Sequence, residues 1–365
     1  MVKASLIWLN YNSMGFMDIA LKSIDSVLNL DFDGFEVIIV DNASTDGSFE
    51  VIRRFVEERR PSNVRVRFIR NEGNLGYAGG MNVGWDARDP DARYVAFLNN
   101  DLVAEPESLR KIIEHMESDE KVAAASGLIY HGDKKTIYSA GGWVDELWFF
   151  DGICNGLKIG ECPGINKEHY VTYADGTYMV TKVDTIRRAM PHGKPFIDET
   201  FLYLDDSLLG LILWNNSYRS KYIPIIAGYH HASQTTGITN LSKSSLGFYY
   251  VSRGSAAFSK IVKTRYSYLR KLIILELLFA SIILCKIIDG RFCFYIYGYK
   301  DGESLANLIA RKIGVLSLYK APYIRVDLLR LSSYIFAYGY TNQMLHQGKV
   351  HITHLFNDFS FGRET

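Results

Sequence analysis

Residues 35–48 read FEVIIVDNASTDGS, an apolar and β-branched run that ends in polar residues. The part up to Val40 is typical of a buried parallel strand, and Asp41 marks the carboxyl end of that strand. Residues 2–9 form a second apolar run of the same kind, and residues 16–28 between the two carry apolar side chains at helical spacing. This order predicts a β-α-β unit with a right-handed crossover.

The alternation of strands and helices continues along the chain. It predicts helices over 49–60, 106–116, 183–189 and 201–214, the end of a short helix over 81–87, and strands over 64–69, 94–98, 171–180 and 218–226. We therefore expect an α/β fold with a mostly parallel, Rossmann-like central sheet and helices on both faces. Residues 127–164 are rich in Gly, Tyr and Trp, and we predict hairpins and loops that cover a substrate.

Length and charge narrow the class of protein. The chain has 365 residues, of which 48% are hydrophobic, so one large domain with an appendage fits better than several small domains. We predict a domain over 1–240 and a helical C-terminal region over 241–365. With 41 basic and 40 acidic residues the net charge is +1, which excludes the strongly basic surface of a general nucleic-acid binder.

The C-terminal region contains an apolar stretch, residues 272–288, that Glu276 and Lys286 interrupt. It falls short of the roughly 20 apolar residues of a spanning helix. A packing helix and an interfacial helix beside anionic lipid fit it equally well, and a transmembrane span fits less well. The four cysteines are too sparse for a disulfide framework, and no secretory signal pattern is present, so we expect a reducing cytoplasm.

Polar residues follow three of the predicted strands: NYN at 10–12, DNASTDGS at 41–48 and NND at 99–101. In an open parallel sheet a ligand binds outside the carboxyl ends of the strands, so these residues are candidates for one site. The carboxylate of Asp41 can accept a hydrogen bond from a nucleobase or a ribose hydroxyl. Asp101 can hold Mg²⁺ or Mn²⁺ against diphosphate oxygens, although NND taken alone is more often a turn.

A glycine-rich stretch, NEGNLGYAGGMNVG at 71–84, follows a strand and contains five glycines. Such a loop lets backbone N–H groups approach a pyrophosphate at a helix N-terminus, but a plain connection between strand and helix has the same composition. The spacing matches neither a Walker loop nor G-x-G-x-x-G.

Two acidic residues, Asp205 and Asp206, stand near the start of the helix predicted over 201–214. Such carboxylates either complement the helix dipole or supply a general base for an acceptor hydroxyl. His230 and His231 follow the last predicted strand, where a histidine is either structural or a ligand of metal or phosphate.

Taken together and in this order, these sequences resemble the family 2 inverting glycosyltransferases of the GT-A fold, particularly those that transfer rhamnose and similar sugars. The similarity covers roughly the first two thirds of the chain. It is carried by NYN at 10–12, the run over 40–48, GNLGYAGGMN at 73–82, FLNND at 97–101, Asp175-Gly176, FLYLDD at 201–206 and His230.

The resemblance implies a role for each matched position. It implies a nucleotide-sugar half over 1–125, an acceptor half over 126–240, base contact by Asp41, a divalent metal (Mn or Mg) on Asp101 and His230, and Asp206 as catalytic base beside Asp205. The implied acceptor contacts are Asp175 and Gly176. The implied donor-binding residues are Asn10, Asn12, Asp41, Asn74, Gly76, Gly79, Asn82, Asn99 and Asn100. The family often has a further acidic residue two positions after the base, where this chain has Leu208.

The expected function is transfer of a sugar, with inversion, from a UDP-, dTDP- or GDP-sugar to a glycan or lipid-linked acceptor. The expected location is cytoplasmic and peripheral on the inner face of the cell membrane, with no nucleic-acid partner and with a homodimer left open. A sugar-nucleotide pyrophosphorylase and a non-catalytic sugar-binding protein are the alternatives. The first needs a basic, Gly-rich loop after the first strand, which residues 10–13 lack, and the second has no use for a metal ligand and a base together.

Overall fold

The computed structural model describes residues 3–148, 150–231, 245–269 and 293–325, together with residues 271, 272, 275 and 279. The strands are β1 (Ala4–Asn10), β2 (Phe35–Asp41), β3 (Arg65–Arg70), β4 (Tyr94–Asn99), β5 (Leu102–Ala104), β6 (Val122–His131), β7 (Ile137–Ser139), β8 (Gly142–Val144), β9 (Phe150–Gly152), β10 (His169–Val171), β11 (Tyr178–Lys182), β12 (Arg219–His230), β13 (Val262–Lys263) and β14 (Leu316–Ser317).

The α-helices alternate with the strands in the first half of the chain and pair with each other near its end. They are α1 (Met17–Leu28), α2 (Ser48–Arg59), α3 (Gly76–Asp86), α4 (Ser108–Glu117), α5 (Val183–Ala189), α6 (Asp205–Asn215), α7 (Ser245–Ile261) and α8 (Cys293–Ile313). Short 3₁₀ turns lie at Met14–Phe16, Ile159–Glu161, Pro191–Gly193, Asp198–Thr200 and Leu318–Lys320.

The central sheet has the strand order β10-β12-β6-β11-β4-β1-β2-β3, with β5 paired to β12 and β7 paired to β6. The strands β4, β1, β2 and β3 are parallel, which confirms the predicted Rossmann-like half. On the other side of β4 the sheet is mixed, because β11 runs antiparallel to both β4 and β6. The carboxyl ends of β1, β2 and β4 therefore lie at one edge of the parallel part.

Alternating residues of the strands enter two hydrophobic cores on opposite faces of the sheet. Leu6 and Trp8 of β1 pack with α1, α2 and α4, whereas Ile7 packs with α3, α5 and α6. The second core continues into the C-terminal pair, since Phe258 of α7 and Ile309 of α8 belong to it. Helices thus cover both faces, as the sequence predicted.

Three predicted elements differ from the structure. Residues 122–131, half of which were predicted as hairpin and loop, form the buried strand β6, whose small and apolar side chains suit the middle of a sheet. The strand predicted over 171–180 is two strands, β10 and β11, on different neighbours. The helix predicted from residue 201 begins only at Asp205, because Phe201 and Tyr203 have φ of 63° and 71°, which no α-helix accommodates.

A disulfide joins Cys154 to Cys162 across the loop that follows β9. The sequence predicts no disulfide framework, but this pair nevertheless forms a disulfide. The turn between the two residues brings their Cα atoms to 5.8 Å, a proximity that spacing alone does not reveal.

The C-terminal helices α7 and α8 pack against each other and against the sheet's helices. The apolar stretch 272–288 falls largely outside the described residues. Within the part of the chain that the structure describes, no helix is long and apolar enough to cross a membrane.

Candidate active site

A buried polar network joins the ends of β1 and β2. The Asn10 side-chain amide donates to Asp41 Oδ1 at 2.8 Å and to the hydroxyls of Ser44 and Ser48 at 3.2 Å. Asn10 and Asp41 are both fully buried. The register of β1 on β2 pairs these two residues directly, which is why the motifs at the two strand ends meet.

The Asp41 carboxylate is well supplied with donors from within the protein. Its Oδ1 also accepts from the Ser44 hydroxyl at 2.6 Å, and its Oδ2 accepts from the Ser44 backbone N–H at 3.0 Å. Arg70 Nε lies 3.4 Å from the same Oδ2. Asn12 joins the network from the side, since its Oδ1 accepts from the Thr45 N–H at 2.9 Å. These contacts shape the loop over 41–48, and the predicted base contact by Asp41 remains a prediction.

Packing accounts for several glycines of the stretch over 71–84. Gly76 has φ of +69°, and a Cβ there would lie 2.3 Å from the Phe201 carbonyl oxygen. A Cβ on Gly79 would lie 2.7 Å from Leu75 Cβ within the same turn. These positions must be glycine so that α3 can form and approach the segment at Phe201 closely.

The backbone N–H groups at the start of α3 are partly used. The Gly76 N–H donates to Asn74 Oδ1 at 2.9 Å, and the Tyr77 N–H donates to the Phe201 carbonyl at 2.7 Å. Asn82, which lies deeper in α3, donates to Asp198 Oδ1 at 2.7 Å. The structure thus ties Asn82 to the 196–198 segment, and the donor-binding roles of Asn74, Gly76, Gly79 and Asn82 stay predictions.

The end of β4 brings Asp101 to His230 of β12. His230 Nε2 lies 3.0 Å from Asp101 Oδ1, and both residues are buried. Pairing of β5 with β12 places them together, because His230 lies opposite Leu102, the residue after Asp101. The ring of the neighbouring His231 instead lies against Gly132. Of the two histidines, His230 is the one whose ring contacts the Asp101 carboxylate, whereas the His231 backbone N–H donates to the Asp101 carbonyl at 2.8 Å.

The donor chemistry of this pair fits a divalent cation. A carboxylate oxygen and an imidazole nitrogen are ligands that Mn²⁺ accepts, and His230 Nδ1 is buried without a hydrogen-bond partner. Among the described residues no three His, Cys, Asp or Glu side chains cluster in a way that could hold a metal, so the protein offers a pair there. Asn100 lies beside the pair and donates to Asn10 Oδ1 at 3.5 Å, whereas Asn99 uses its backbone N–H on the Thr177 carbonyl.

Asp205 and Asp206 occupy the first turn of α6 in different surroundings. Asp205 is buried and accepts a hydrogen bond from the Thr200 hydroxyl. Asp206 is partly exposed, and its Oδ2 accepts from the Gly176 N–H at 3.2 Å. Burial raises the pKa of Asp205 to about 6. Burial, and then the negative charge of Asp175, raise the pKa of Asp206 to about 7.

Asp175 and Gly176 lie in the loop between β10 and β11. The Asp175 Oδ1 accepts from the Thr177 N–H at 2.9 Å, which folds the loop into a tight turn. This turn directs the Gly176 N–H at Asp206, while the Gly176 carbonyl accepts from the Tyr77 hydroxyl at 2.8 Å. The predicted acceptor residues and the predicted base therefore lie together.

Tyr138, which the sequence did not identify as a site residue, lies near both the Asp101–His230 pair and Asp206. Burial first, and then the charges of Asp175, Asp206 and Asp101, raise the pKa of Tyr138 well above its usual value. The Tyr138 ring meets the His230 ring edge to face at 4.4 Å between centroids. Tyr138 therefore stands between the Asp101 pair and the Asp206 cluster. It lies in the 127–164 region, where no motif marks it.

The residues at these strand ends lie in a stretch of sequence that matches a known protein family. A family model described as glycosyl transferase family 2 matches residues 5–169. The first half of the chain is therefore similar to this family. The matched stretch includes β1 to β4, the Asp41 network, the glycine-rich stretch and Asp101.

Two relatives are similar to part of the chain. An uncharacterized glycosyltransferase, alr2836, of Nostoc sp. is 34% identical over 38% of this chain and 41% of its own length. A putative teichuronic acid biosynthesis glycosyltransferase, TuaG, of Bacillus subtilis is 30% identical over 31% of this chain and 41% of its own length. The chain thus spans about two fifths of the length of each of these relatives.

A solved structure supports the fold over a greater length. A mannosyltransferase from Pyrobaculum calidifontis, solved in complex with GDP-Man and Mn²⁺, matches with a TM-score of 0.51 at 14% identity. The match covers 99% of this chain and 88% of that chain. The fold is therefore that of the GT-A glycosyltransferases, with the mixed sheet and the C-terminal helices described above.

Proposed function

We propose that this family 2 protein transfers a sugar from a nucleoside-diphosphate sugar to an acceptor hydroxyl, with inversion at the anomeric carbon. The observation that carries the proposal is the partly exposed carboxylate of Asp206, whose pKa is raised to about 7. A general base works best when its pKa lies near the working pH. Its place at the loop of Asp175 and Gly176 suits a base that meets an acceptor.

The proposed reaction is a single nucleophilic displacement at the anomeric carbon. The acceptor O–H gives its proton to the Asp206 carboxylate as the acceptor oxygen bonds to the anomeric carbon, and the bond from that carbon to the diphosphate oxygen breaks. The electron pair of the breaking bond leaves with the nucleoside diphosphate. Because attack and departure occur on opposite faces, configuration inverts, and no covalent sugar-enzyme intermediate is needed.

Asp101 and His230 would hold Mn²⁺ or Mg²⁺ in this reaction. When bound, the cation stabilises negative charge on the leaving diphosphate. The proposal is supported by the donor chemistry of the pair and by the presence of Mn²⁺ in the mannosyltransferase complex.

The donor is proposed to lie across the ends of β1, β2 and β4. In that place the Asn10 and Asp41 network shapes the pocket for the base and ribose, together with Asn12, and Asn99 and Asn100 reach the pocket from β4. Asn74, Gly76, Gly79 and Asn82 are proposed to form one wall of this donor pocket, where Asn74 accepts from the Gly76 N–H and Asn82 donates to Asp198.

The acceptor is proposed to be a glycan or a lipid-linked sugar. The Bacillus relative's name assigns that protein to teichuronic acid biosynthesis, which supports an acceptor of this class. We place the enzyme at the cytoplasmic face of the membrane, by way of its C-terminal region over 241–365. A homodimer is compatible with this arrangement.

A donor screen tests the function. Purified protein is incubated with Mn²⁺ and UDP-, dTDP- or GDP-sugars, and release of nucleoside diphosphate is measured for the wild type and for Asp101→Ala. Metal-dependent release from one donor, lost in the variant, is the expected result. A folded protein that binds a nucleotide sugar tightly, yet turns over none with any glycan or lipid-linked acceptor, would contradict transfer and favour a binding role.

A further inference from the structure

The segment that carries the proposed base lies along helix α7. We call residues 199–206 the base segment. Arg253 of α7 donates from Nη1 to the Thr200 carbonyl at 2.6 Å and from Nη2 to the Glu199 carbonyl at 2.6 Å. The Thr200 hydroxyl in turn donates to the Asp205 carboxylate. A chain of hydrogen bonds therefore links the α7 guanidinium to the residue beside Asp206.

Aromatic packing adds a second connection from α7. The Tyr250 ring stacks on Phe201, with centroids 6.1 Å apart and planes 5° apart, and meets Tyr203 edge to face at 5.8 Å. Gly254, one residue after Arg253, faces the Leu204 side chain, whose Cδ1 would lie 4.0 Å from a Cβ at that position. Residues 199–204 thus contact a single turn of α7, at residues 250–254.

The base segment needs such support because its backbone is unusual. Phe201 and Tyr203 have φ of 63° and 71°, a region that large L-residues rarely adopt. Such conformations persist where the surroundings hold them from more than one side. Here α3 holds one side, through the Tyr77 N–H on the Phe201 carbonyl, and α7 holds the other.

We propose that Arg253, with Tyr250 beside it, is the positioning residue through which helix α7 sets the place of the Asp206 carboxylate. The inference rests on the proposed function, in which Asp206 is the base. Arg253 suits the task because its planar fork donates to two consecutive carbonyls in a fixed geometry, which a lysine does not reproduce. The C-terminal helices are then part of the catalytic apparatus, although they lie outside the family match.

A second cation supports the same turn from α8 without touching its backbone. Lys312 Nζ lies 2.7 Å from Glu199 Oε1. This pair is solvent-accessible and contacts only a side chain. Exposed ion pairs of this kind contribute little to the stability of a fold. Lys312→Ala should therefore lower kcat far less than a change at Arg253.

The test compares Arg253→Ala with Arg265→Ala. Arg265 is a matched control because its guanidinium also pairs with an oxygen inside the fold, Glu146 Oε2 at 2.8 Å, which lies outside the base segment. For Arg253→Ala we expect kcat to fall about 10²-fold, since small misplacements of a catalytic group cost about that much. Donor KM and nucleotide Kd should stay near the wild-type values, and Arg253→Lys should recover only part of the rate.

The pH profile provides a readout that a purely structural role would not change. Asp206 is faced by Asp205 of α6, Asp175 of the β10-β11 loop and the tyrosines Tyr77, Tyr138 and Tyr173. The positive charge of Arg253 lowers the pKa of Asp205, although burial of Asp205 raises it more. Loss of that charge should raise the pKa of Asp205, and a neutral Asp205 repels the Asp206 carboxylate less. The acidic limb of kcat should therefore move to lower pH.

Chemical rescue sharpens the assignment. Arg253 and Glu199 line an open cavity of about 300 Å³ between α7 and α8, so a small cation can reach the vacated place. Added ethylguanidinium should restore several-fold activity to Arg253→Ala, and ethylammonium should restore less. Neither compound should raise the activity of Arg265→Ala.

Hydrogen exchange separates this inference from the proposed function. Arg253→Ala should speed amide exchange in residues 199–206, and Arg265→Ala should not, whether or not a donor is turned over. If the wild type transfers sugar but Arg253→Ala matches Arg265→Ala in kcat, pH profile and exchange, the positioning role is wrong. If exchange rises as expected but the wild type transfers nothing, the contact is real and the proposed function fails.

Discussion

Two carboxylates near the strand ends show opposite environments. Asp41 is fully buried, and Ser44, Asn10 and Arg70 supply donors to both of its oxygens. Asp206 is partly exposed, but it accepts from the backbone N–H groups of Gly176 and Ser207, and Asp175 lies near enough to repel it. Asp41 thus accepts hydrogen bonds at both of its oxygens, whereas the pKa of Asp206 is raised to about 7. Burial first, and then the charge of Asp175, raise the pKa of Asp206, whereas Asn10, Ser44 and Arg70 supply donors to both oxygens of Asp41.

The largest expected effect is on Asp206. Asp206→Asn should lower kcat about 10³-fold, since general base catalysis typically contributes 10²–10⁴-fold. The nucleotide-sugar Kd, measured by calorimetry with Mn²⁺, should not change. Asp184→Asn is the control, because Asp184 is an aspartate in the first turn of another helix, α5. Retention of wild-type kcat in Asp206→Asn would move the base role to another carboxylate.

The metal pair should show the next largest effect. Asp101→Asn should lower the rate at fixed Mn²⁺ about 10²-fold, because charge on the leaving group is less well stabilised. Higher Mn²⁺ should recover part of the rate, as titration of activity against Mn²⁺ will show. A variant with unchanged Mn²⁺ dependence would show that Asp101 is not a ligand.

Replacement of Asp41 should lower the free energy of unfolding of the protein. Asp41→Asn leaves the Ser44 N–H or Arg70 without its anionic acceptor, which costs about 2 kcal/mol in the free energy of unfolding. Asp206→Asn should not destabilise the protein, because that carboxyl is already disfavoured when charged. Urea unfolding of both variants measures the difference. If the two variants had equal free energies of unfolding, the proposed difference between the two carboxylates would be wrong.

The smallest effect is the dependence of stability on pH. The pKa of Asp206 is raised from 3.8 to about 7 in the folded protein, so between those values the folded state binds more protons than the unfolded state. Stability should therefore fall as pH rises through this window. Asp206→Asn should flatten the change between pH 5 and 7 by on the order of 1 kcal/mol. In that variant the pKa of Asp205, about 6, still makes the free energy of unfolding depend on pH below pH 6.

Much of the first half follows from the sequence. Apolar runs that end in polar residues predicted β1, β2 and β4, and parallel pairing then had to bring Asn10, Asp41 and Asp101 to one edge. The second half was harder to predict. Residues 171–180 combine two strands and a turn, because the side chain of Asp175 caps the turn at Thr177. The late start of α6 could not be predicted either, since positive φ at Phe201 and Tyr203 contradicts their local preference.

By itself the sequence determined the α/β order, the strand-end motifs and the resemblance to family 2, because these depend on residues close together along the chain. Only the tertiary structure decided that Asp41 would be rich in donors, that Asp206 would lie beside Asp175, and that Tyr138 would meet His230. It also decided that α7 would hold the base segment through Arg253. These contacts join residues far apart in sequence, and a carboxylate's proton affinity follows from the charges and donors that folding brings to it.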